Sequence, residues 1–262
     1  MAVQGAQVVS RVALVLRLVS ESAPRGITTA ALARQAVLTR PTVHRLLVSL
    51  AAEGFVDRDE LLGTWVLGPE LYLMGSVAAA RYDITTVAAP RVQALARETG
   101  ESAFLSARRG DETVCLLRED GSFPLRSFVL FEGVRFPLGV ASAGIAILAY
   151  LPENEITEYL DRRHLEVERG AAHSSTVVRE RLALTRRTGW ALNPGLVLEG
   201  SWGMGAAIFD GRGLPAWALS ITGVEFRFAT ERRAELGRLL LEHAHAITQA
   251  LRGEKTQRNR LI

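Results

Sequence analysis

Apolar residues recur with helical spacing at the start of the chain. The pattern predicts helices over Gln7–Ser20, over Thr29–Ala36 and from Arg40 to about Glu53, with a short turn between the second and the third. In the third helix the apolar side chains follow the spacing i, i+3, i+4, i+7 and share one face: Val43, Leu46, Leu47 and Leu50. Two helices joined by a tight turn indicate a helix-turn-helix.

Local signals define the ends of these helices and predict a hairpin after them. Thr28 and Thr39 precede the second and third helices as N-cap residues, and Gly54 follows the third helix as a C-terminal glycine. Strand-like segments at Phe55–Arg58 and Thr64–Leu67, joined by a polar turn, predict a β-hairpin. Residues 1–69 are therefore predicted to form a winged helix-turn-helix, a module that reads DNA.

The rest of the chain is predicted to form a second domain after a linker helix over 70–82. The second domain, 83–252, begins with a helix at Ile84–Thr99, and a long helix at Glu231–Leu251 closes it. Short strands and segregated helices between them predict an α+β fold, and 253–262 reads as a disordered basic tail. Strand candidates are Glu101–Arg108, Glu112–Glu119, Phe123–Leu130, Phe136–Val140, Gly189–Leu192, Ser201–Phe209 and Pro215–Thr222. Helix candidates are Ser142–Leu151, Glu153–Arg162 and Thr176–Thr188.

Composition narrows the class of protein without pointing to DNA. Of the 262 residues 48% are apolar, as in a folded globular protein, and the net charge of +3 is too small to indicate nucleic-acid binding by itself. The single cysteine, Cys115, excludes an internal disulfide, and the five histidines show no metal-ligand spacing. The longest apolar run, Leu138–Leu151, is too short to span a bilayer, and no signal peptide is visible. We therefore expect a cytoplasmic protein without a cofactor, a metal or a membrane partner.

The third helix carries the candidate DNA contacts. A helix-turn-helix inserts the first turns of its second helix into the major groove. Arginine fits the O6 and N7 atoms of guanine, and threonine hydroxyls suit phosphates. A solvated helix face with two capping threonines is the alternative interpretation. The predicted DNA-binding residues are Thr39, Arg40, Pro41, Thr42, His44 and Arg45, together with Arg58 on the wing.

Two motifs resemble those of one family. The run LTRPTVHRLLVSLAAEGFV, followed after the predicted wing by WVLGPEL, resembles the DNA-binding domain of the IclR family of bacterial transcriptional regulators. The resemblance covers nearly the whole chain. It implies that the second domain is a GAF-like effector-binding domain, with a curved antiparallel sheet and a small-molecule pocket on one side. It also implies a homotetramer made of two dimers, in a family that contains both repressors and activators.

The same resemblance indicates which residues line the effector pocket. In GVRFPLGVASAGIAILA a strand runs into the core helix of the effector domain, and the first turn of that helix lines the pocket in the family. The later segments GWALNPGLVLEGSWGMGAAIFD and ALSITG supply further pocket positions. The hydroxyls of Ser220 and Thr222 alternate onto one face of a strand, so both can face a ligand. The candidate effector-binding residues are Leu125, Phe128, Ser142, Ala143, Gly144, Asn193, Gly203, Ser220 and Thr222.

The chain departs from the family pattern at several of these segments. Ile145 stands where a lysine is usual, Gly203 where a cysteine is common, and Ala207 where a proline is common. Asn193 stands where a carboxylate is frequent. Glycine in place of cysteine enlarges the cavity, and an amide repels a bound acid less than a carboxylate does. Both changes predict an effector unlike that of the typical member. Trp202 is expected either to wall the site or to fill the core, and the core is favoured.

Together these features predict a DNA-binding transcriptional regulator rather than an enzyme. A small organic acid, aromatic acids included, is expected to modulate its operator binding. Dimerisation through the first domain predicts a near-palindromic double-stranded operator, bound by a homodimer or homotetramer. Two alternatives remain. The run VASAG is one glycine short of a nucleophile elbow, with Ser142 as nucleophile and His243 downstream, which is compatible with a serine hydrolase. The second domain could also serve dimerisation alone.

Overall fold

The computed structural model describes residues 7–79, 84–126 and 129–258. By its internal contacts the chain divides into two units, Met1–Tyr82 and Asp83–Ile262. Each unit has its own apolar core. In the described ranges no helix is long and apolar enough to cross a membrane, and no group of three His, Cys, Asp or Glu side chains could hold a metal ion.

The described part of the first unit contains four helices and one hairpin. The three N-terminal helices and the hairpin follow the predicted order and confirm the winged helix-turn-helix. The elements are α1 (Gln7–Glu21), α2 (Thr29–Ala36), α3 (Arg40–Ala52), β1 (Val56–Asp59), β2 (Thr64–Leu67) and α4 (Pro69–Ala79).

The apolar stripe of α3 anchors the first unit. Val43, Leu47 and Leu50 are buried in the core, while Leu46 packs at its edge. Trp65 of the hairpin lies in the same core, and the backbone groups of Ile27 and Trp65 exchange two hydrogen bonds of 3.0 and 2.8 Å. The segment before α2 is thereby fixed to the wing, and the opposite face of α3 is left at the surface.

The second unit is built on an antiparallel sheet of six strands. Its strand order is β5-β4-β3-β8-β7-β6, and every neighbouring pair is antiparallel. The strands are β3 (Ser102–Arg109), β4 (Glu112–Glu119), β5 (Arg135–Pro137), β6 (Ala191–Leu198), β7 (Ser201–Phe209) and β8 (Pro215–Val224). The helices are α5 (Ile84–Thr99), α6 (Ser142–Leu148), α7 (Glu153–Arg162), α8 (Leu165–Arg169), α9 (Ser175–Thr188) and α10 (Thr230–Arg258). Mixed helix and strand content around one antiparallel sheet confirms the predicted α+β fold.

The sheet separates two apolar clusters. Leu219 and Ile221 of β8 point to the cluster that α5 and α10 cover. Ala218 of the same strand points to the other cluster, which α6, α7 and α9 build. Since side chains alternate along a strand, Ser220 and Thr222 face the α6 side with Ala218.

The prediction of a strand over Phe123–Leu130 was wrong. The described residues of that range form bends and irregular backbone, and Ser127 and Phe128 lie outside the described residues. Pro124 cannot donate to a ladder, and the Phe123 N–H instead bonds the Gly100 carbonyl at 3.0 Å. The described residues of the range therefore form a loop rather than a strand.

Three other predicted elements differ in length. The strand predicted at Phe136–Val140 is only the short β5, and the one predicted at Gly189–Leu192 extends through β6 to Leu198. Helix α6 ends at Leu148, three residues before its predicted end. The chain leaves α6 in a tighter turn, because the N–H groups of Tyr150 and Leu151 bond carbonyls three residues back. Pro152 follows and cannot continue the helix.

The predicted disordered tail was also wrong in its first part. Helix α10 continues to Arg258, and 259–262 lie outside the described residues. Extending an existing helix needs no new nucleus, and the Glu, Lys, Gln and Arg of this segment are good helix formers. These two effects outweigh the single Gly253 within the extension.

Candidate DNA-binding and effector sites

The turn between α2 and α3 sets the direction of the candidate reading helix. Val37 adopts a left-handed conformation with φ 53° and ψ 43°. This conformation lets the Leu38 N–H reach the Ala33 carbonyl at 3.0 Å, which closes the end of α2. Such a conformation is uncommon for a β-branched residue. Because Val37 is 88% exposed, its side chain makes little packing contact that could offset the cost of this conformation.

Thr39 and Thr42 form a local cap at the start of α3. The Thr39 hydroxyl accepts from the Thr42 N–H at 3.4 Å and shares a hydrogen bond of 2.8 Å with the Thr42 hydroxyl. Thr39 is exposed and Thr42 half-buried. Each hydroxyl keeps capacity for one further partner, so the cap is compatible with a phosphate contact.

The remaining candidates on α3 form an exposed face. Arg40, Pro41, His44 and Arg45 are exposed, opposite the buried stripe of the same helix. Within the described ranges no carboxylate pairs with Arg40 or Arg45. These cations can therefore reach phosphates and base edges without breaking an internal ion pair.

The wing adds one cation and an apolar tip. Arg58 is exposed, with its guanidinium carbon 5.9 Å from the centre of the buried Trp65 ring. The Asp59 carboxylate accepts from the N–H groups of Leu61 and Leu62 at 2.9 and 3.0 Å and thereby shapes the tip. Leu61 is 98% exposed. Sequence reasoning did not single out this apolar tip, although the side chain is visible in the sequence.

The second unit contains a cavity between the start of α6 and the strands β6, β7 and β8. It is open to solvent, and its space, with the solvent at its mouth included, is about 400 Å³. Six of the nine candidate effector-binding residues line it: Ser142, Ala143, Asn193, Gly203, Ser220 and Thr222. Its other walls are Val129, Leu130, Phe136, Ala141, Val197, Ser201 and Trp202.

Two hydroxyls in the cavity lack partners. The Ser220 Oγ and the Thr222 Oγ1 are buried, and neither has a hydrogen-bond partner among the described residues. Both lie on β8 and face the cavity. A buried polar group without a partner is unfavourable by about 1–3 kcal/mol, so a bound molecule that bonds these hydroxyls would recover free energy.

Glycines face both hydroxyls across the β7–β8 ladder, for different reasons. Gly205 lies opposite Ser220, and a Cβ on it would fall 2.9 Å from the backbone of Ser142. Gly203 lies opposite Thr222, and its Cβ would lie 3.3 Å from the Ser142 Oγ. Close packing of α6 requires glycine at position 205, whereas glycine at 203 keeps space open beside two hydroxyls.

The start of α6 closes one end of the cavity. Its N-cap residue, Ala141, has no side chain that could accept from the first N–H groups of the helix. Ser142 and Ala143 are buried and line the cavity. Gly144 is not part of the lining; a Cβ on it would lie 3.2 Å from the Leu138 Cα, so it serves the close approach of the preceding turn.

The Asn193 amide is largely used within the protein. Its Nδ2 donates to the Val140 carbonyl at 2.8 Å, and its Oδ1 accepts from the Leu196 N–H at 2.9 Å. Asn193 therefore ties β6 to the segment that precedes α6. It shapes the cavity wall, and one N–H of the amide remains for a ligand.

Leu125 lies away from the cavity, and Trp202 lies in its wall. Leu125 is 58% exposed on the surface loop and does not line the cavity, and Phe128 lies outside the described residues. Trp202, expected in the core, packs at its edge and also lines the cavity, with the Arg233 guanidinium 4.8 Å from its ring centre. Val129 and Leu130 were missed because their loop was predicted to be a strand.

The arrangement does not support a serine hydrolase. Ser142 lies on the α6 side of the sheet, whereas His243 belongs to α10 on the opposite side. The His243 Nε2 lies 3.1 Å from the Glu98 carboxylate of α5. Because the sheet separates the two residues, His243 cannot act as the base for Ser142.

Comparison with known proteins identifies both units. The family model described as IclR helix-turn-helix domain matches residues 8–60, and the one described as Bacterial transcriptional regulator IclR C-terminal matches residues 76–249. The chain is 30% identical over 224 residues to the Transcriptional repressor IclR of Escherichia coli K12, covering 85% of this chain and 82% of that protein.

Solved structures share the fold. An IclR transcriptional regulator from Alicyclobacillus acidocaldarius superposes with a TM-score of 0.78 at 24% identity, covering 93% of this chain and 98% of that one. An IclR homolog from Microbacterium hydrocarbonoxydans, complexed with 4-hydroxybenzoate, gives a TM-score of 0.76 at 24% identity, covering 94% and 99%. With both halves matched by family models, the chain belongs to the IclR family of bacterial transcriptional regulators, which are DNA-binding regulators rather than enzymes.

Proposed function

We propose that a small organic acid, aromatic acids included, binds in the cavity beside α6 and changes the affinity of this transcriptional regulator for its operator. The observation that carries the proposal is the pair of buried hydroxyls of Ser220 and Thr222, which face the cavity and have no hydrogen-bond partner among the described residues. A carboxylate accepts hydrogen bonds from hydroxyls, and the first N–H groups of α6 lie at the same cavity.

The apolar walls favour an acid with an apolar body. Val129, Leu130, Phe136 and Trp202 supply aliphatic and aromatic surface around the hydroxyls. A ring or short alkyl chain would remove that surface from water at roughly 25 cal/mol per Å² of apolar area buried. The 4-hydroxybenzoate complex of the Microbacterium homolog supports aromatic acids as candidates, since that protein has the same fold.

On the DNA side, we propose that α3 enters the major groove and that the wing contacts the adjacent backbone. Two copies would then read a near-palindromic operator. The first unit exposes apolar side chains on α1 and α4, which supports association of copies as a dimer, with a tetramer formed through the second units. These exposed side chains are Val8, Val9, Tyr72, Leu73, Met74 and Val77.

Control by the acid requires that it bind two arrangements of the protein unequally. An effector shifts an equilibrium only by its difference in affinity for the DNA-competent and DNA-incompetent states. We assign the connection between the units to α4, which directly follows the wing in sequence. A second unit that only dimerises would bind no acid, so the same experiment tests that alternative.

The test is operator binding in the presence of acids. A duplex selected from random sequence by the protein would be titrated by fluorescence anisotropy, with and without a panel of aromatic and short aliphatic carboxylic acids that includes 4-hydroxybenzoate. We expect at least one acid to change operator affinity about fivefold or more.

Two variants of one residue connect that response to the cavity. Ser220→Leu fills the space beside the hydroxyls and should abolish the response, while operator affinity without acid stays unchanged. Ser220→Ala removes one hydrogen bond and should weaken acid binding about tenfold without closing the space. An undiminished response in Ser220→Leu would contradict the cavity as the effector site.

A further inference from the structure

An acidic ligand would bring a negative charge into this cavity, and that charge needs compensation. Among the described residues that line it, none is ionisable. A carboxylate that leaves water for such a cavity loses hydration, and hydroxyls and backbone N–H groups return only part of that free energy. A compensating charge must therefore come from side chains behind the wall.

Arg181 of α9 lies in that layer. Its Nη1 donates to the Gly139 carbonyl at 3.2 Å, and its Nη2 lies 3.5 Å from the Leu192 carbonyl. Its Nε is buried without a partner, and no carboxylate pairs with the guanidinium in the ranges that the structure describes. Arg181 is only partly buried as a residue, but a cation with a buried, unpartnered N–H and no counter-ion is unfavourable.

The two carbonyls connect Arg181 to the cavity wall. Gly139 precedes Val140, whose carbonyl accepts from the Asn193 side chain at 2.8 Å, and Leu192 precedes Asn193. Arg181 therefore spans the same two segments as the Asn193 amide, one residue behind it. Those segments lead into the start of α6 and into β6, the two sides of the cavity.

The surroundings keep Arg181 charged and the neighbouring His173 neutral at neutral pH. Burial lowers the pKa of Arg181 to about 10, which leaves the guanidinium charged at neutral pH. Burial and the neighbouring Arg181 lower the pKa of His173, so that imidazole is neutral at the same pH. His173 is 1% exposed, with its Nδ1 3.2 Å from the Arg169 carbonyl. Arg181 is thus a cation behind a wall whose described lining residues carry no charge themselves, while a second cation, Arg233, lies against the Trp202 ring.

We propose that Arg181 is a positioning residue whose partly buried charge selects an anionic effector over a neutral molecule of the same shape. The proposal rests on the proposed function, since it concerns the ligand of the same cavity. Charges inside a protein interact more strongly than in water, so a guanidinium one residue behind the wall favours a carboxylate without touching it. The bound anion in turn supplies the counter-charge that Arg181 lacks.

The test compares an acid with its neutral isostere. 4-Hydroxybenzoate and 4-hydroxybenzamide would be titrated calorimetrically into the full-length protein and the variant Arg181→Met at neutral pH. We expect the unsubstituted protein to prefer the acid, and the ratio of acid to amide affinity to fall about tenfold in Arg181→Met while amide affinity stays the same. A purely structural role would weaken both ligands together.

Three further variants sharpen the result. Arg181→Lys keeps the charge and should keep most of the preference for the acid. Arg187→Met removes an exposed charge from the same helix and should leave the ratio unchanged, because solvent screens it. If Arg181→Met does not fold, as judged by thermal unfolding, Arg181→Gln replaces it, since its amide can still donate to a carbonyl.

Each remaining outcome overturns a defined part of the account. An unchanged ratio in Arg181→Met or Arg181→Gln overturns the role of Arg181 and leaves the proposed function intact. Equal affinity of the unsubstituted protein for acid and amide also overturns the role of Arg181, and it points to a neutral effector. Binding of neither probe overturns the aromatic-acid part of the proposed function, and this inference with it.

Discussion

The two units hold their charged side chains in opposite ways. In the first unit Arg40, Arg45 and Arg58 are exposed, and no described carboxylate pairs with them. In the second unit the central charges are withdrawn from solvent: Glu101 is 2% exposed, and Arg181 is partly buried with its Nε fully so. Exposed cations are available to another molecule, whereas buried charges hold segments together or bias a cavity. Substitutions should therefore affect binding in the first unit and stability or selectivity in the second.

The largest expected effect is at Glu101, which joins the start of the sheet to the start of α10. One carboxylate oxygen accepts from Arg227 Nε and Arg232 Nη1, both at 2.7 Å. Glu101→Ala would leave two partly buried cations without their counter-ion and should destabilise the second unit by about 3–5 kcal/mol. Differential scanning calorimetry would measure the loss.

The control is the exposed pair Arg238–Glu242, 3.0 Å apart on α10. Glu242→Ala should change stability by less than about 0.5 kcal/mol, because solvent screens exposed pairs. Similar losses in Glu101→Ala and Glu242→Ala would remove the distinction between buried and exposed charge on which the comparison depends.

The two cavity glycines give the next largest difference. Gly205→Ala places a methyl group 2.9 Å from the Ser142 backbone and should destabilise the second unit by about 1–3 kcal/mol. Gly203→Ala meets its neighbours at 3.3 Å and should cost less than about 1 kcal/mol. Instead it should narrow the cavity and shift binding toward smaller acids. Denaturant unfolding and acid titrations would separate these effects; the reverse order of stabilities would contradict the assignment.

In the first unit, Arg45→Ala tests the exposed face. The substitution should weaken operator binding by about 1–3 kcal/mol, the range for a good arginine–guanine pair, and leave the unfolding midpoint unchanged. Anisotropy titration of the selected duplex would measure the change. Arg187→Ala, an exposed arginine of the second unit, is the matched control and should bind the operator normally. Full operator affinity in Arg45→Ala would remove Arg45 from the contact surface.

The smallest expected effect is at the turn of the helix-turn-helix. Asparagine tolerates the left-handed conformation of Val37 better than valine does, and the exposed side chain packs against little. Val37→Asn should therefore stabilise the first unit by about 0.5–1 kcal/mol. Val48→Asn, at an exposed valine within α3, should give no such gain. A loss of stability in Val37→Asn would show that the turn is not strained.

The sequence was informative at several elements whose structure depends on neighbouring residues. The caps at Thr28 and Thr39, the apolar stripe of α3 and the hairpin each depend on residues a few positions apart, and the structure contains all of them. The alternation of Ser220 and Thr222 is also local, and both line the cavity. Strand and helix types could therefore be predicted from periodicity and punctuating residues.

The cavity wall depends on contacts that periodicity does not encode. Val129 and Leu130 reach the cavity from a loop, and Val197 reaches it from the part of β6 beyond the predicted strand. Gly144 was placed in the pocket, but its role is the close approach to Leu138. Arg181 contributes through two backbone carbonyls on distant segments. These contacts between residues far apart in the sequence become visible only when the strands are paired in the folded structure.

The most direct test of the central claim is thermodynamic reciprocity between the two sites. Calorimetry would measure the affinity of the protein for the acid that changes operator binding most, with and without saturating operator duplex. Linkage requires that the operator change the acid affinity by the same factor by which the acid changes operator affinity, and we expect that factor to be about fivefold or more. Equal acid affinity with and without operator would contradict control of DNA binding through the cavity.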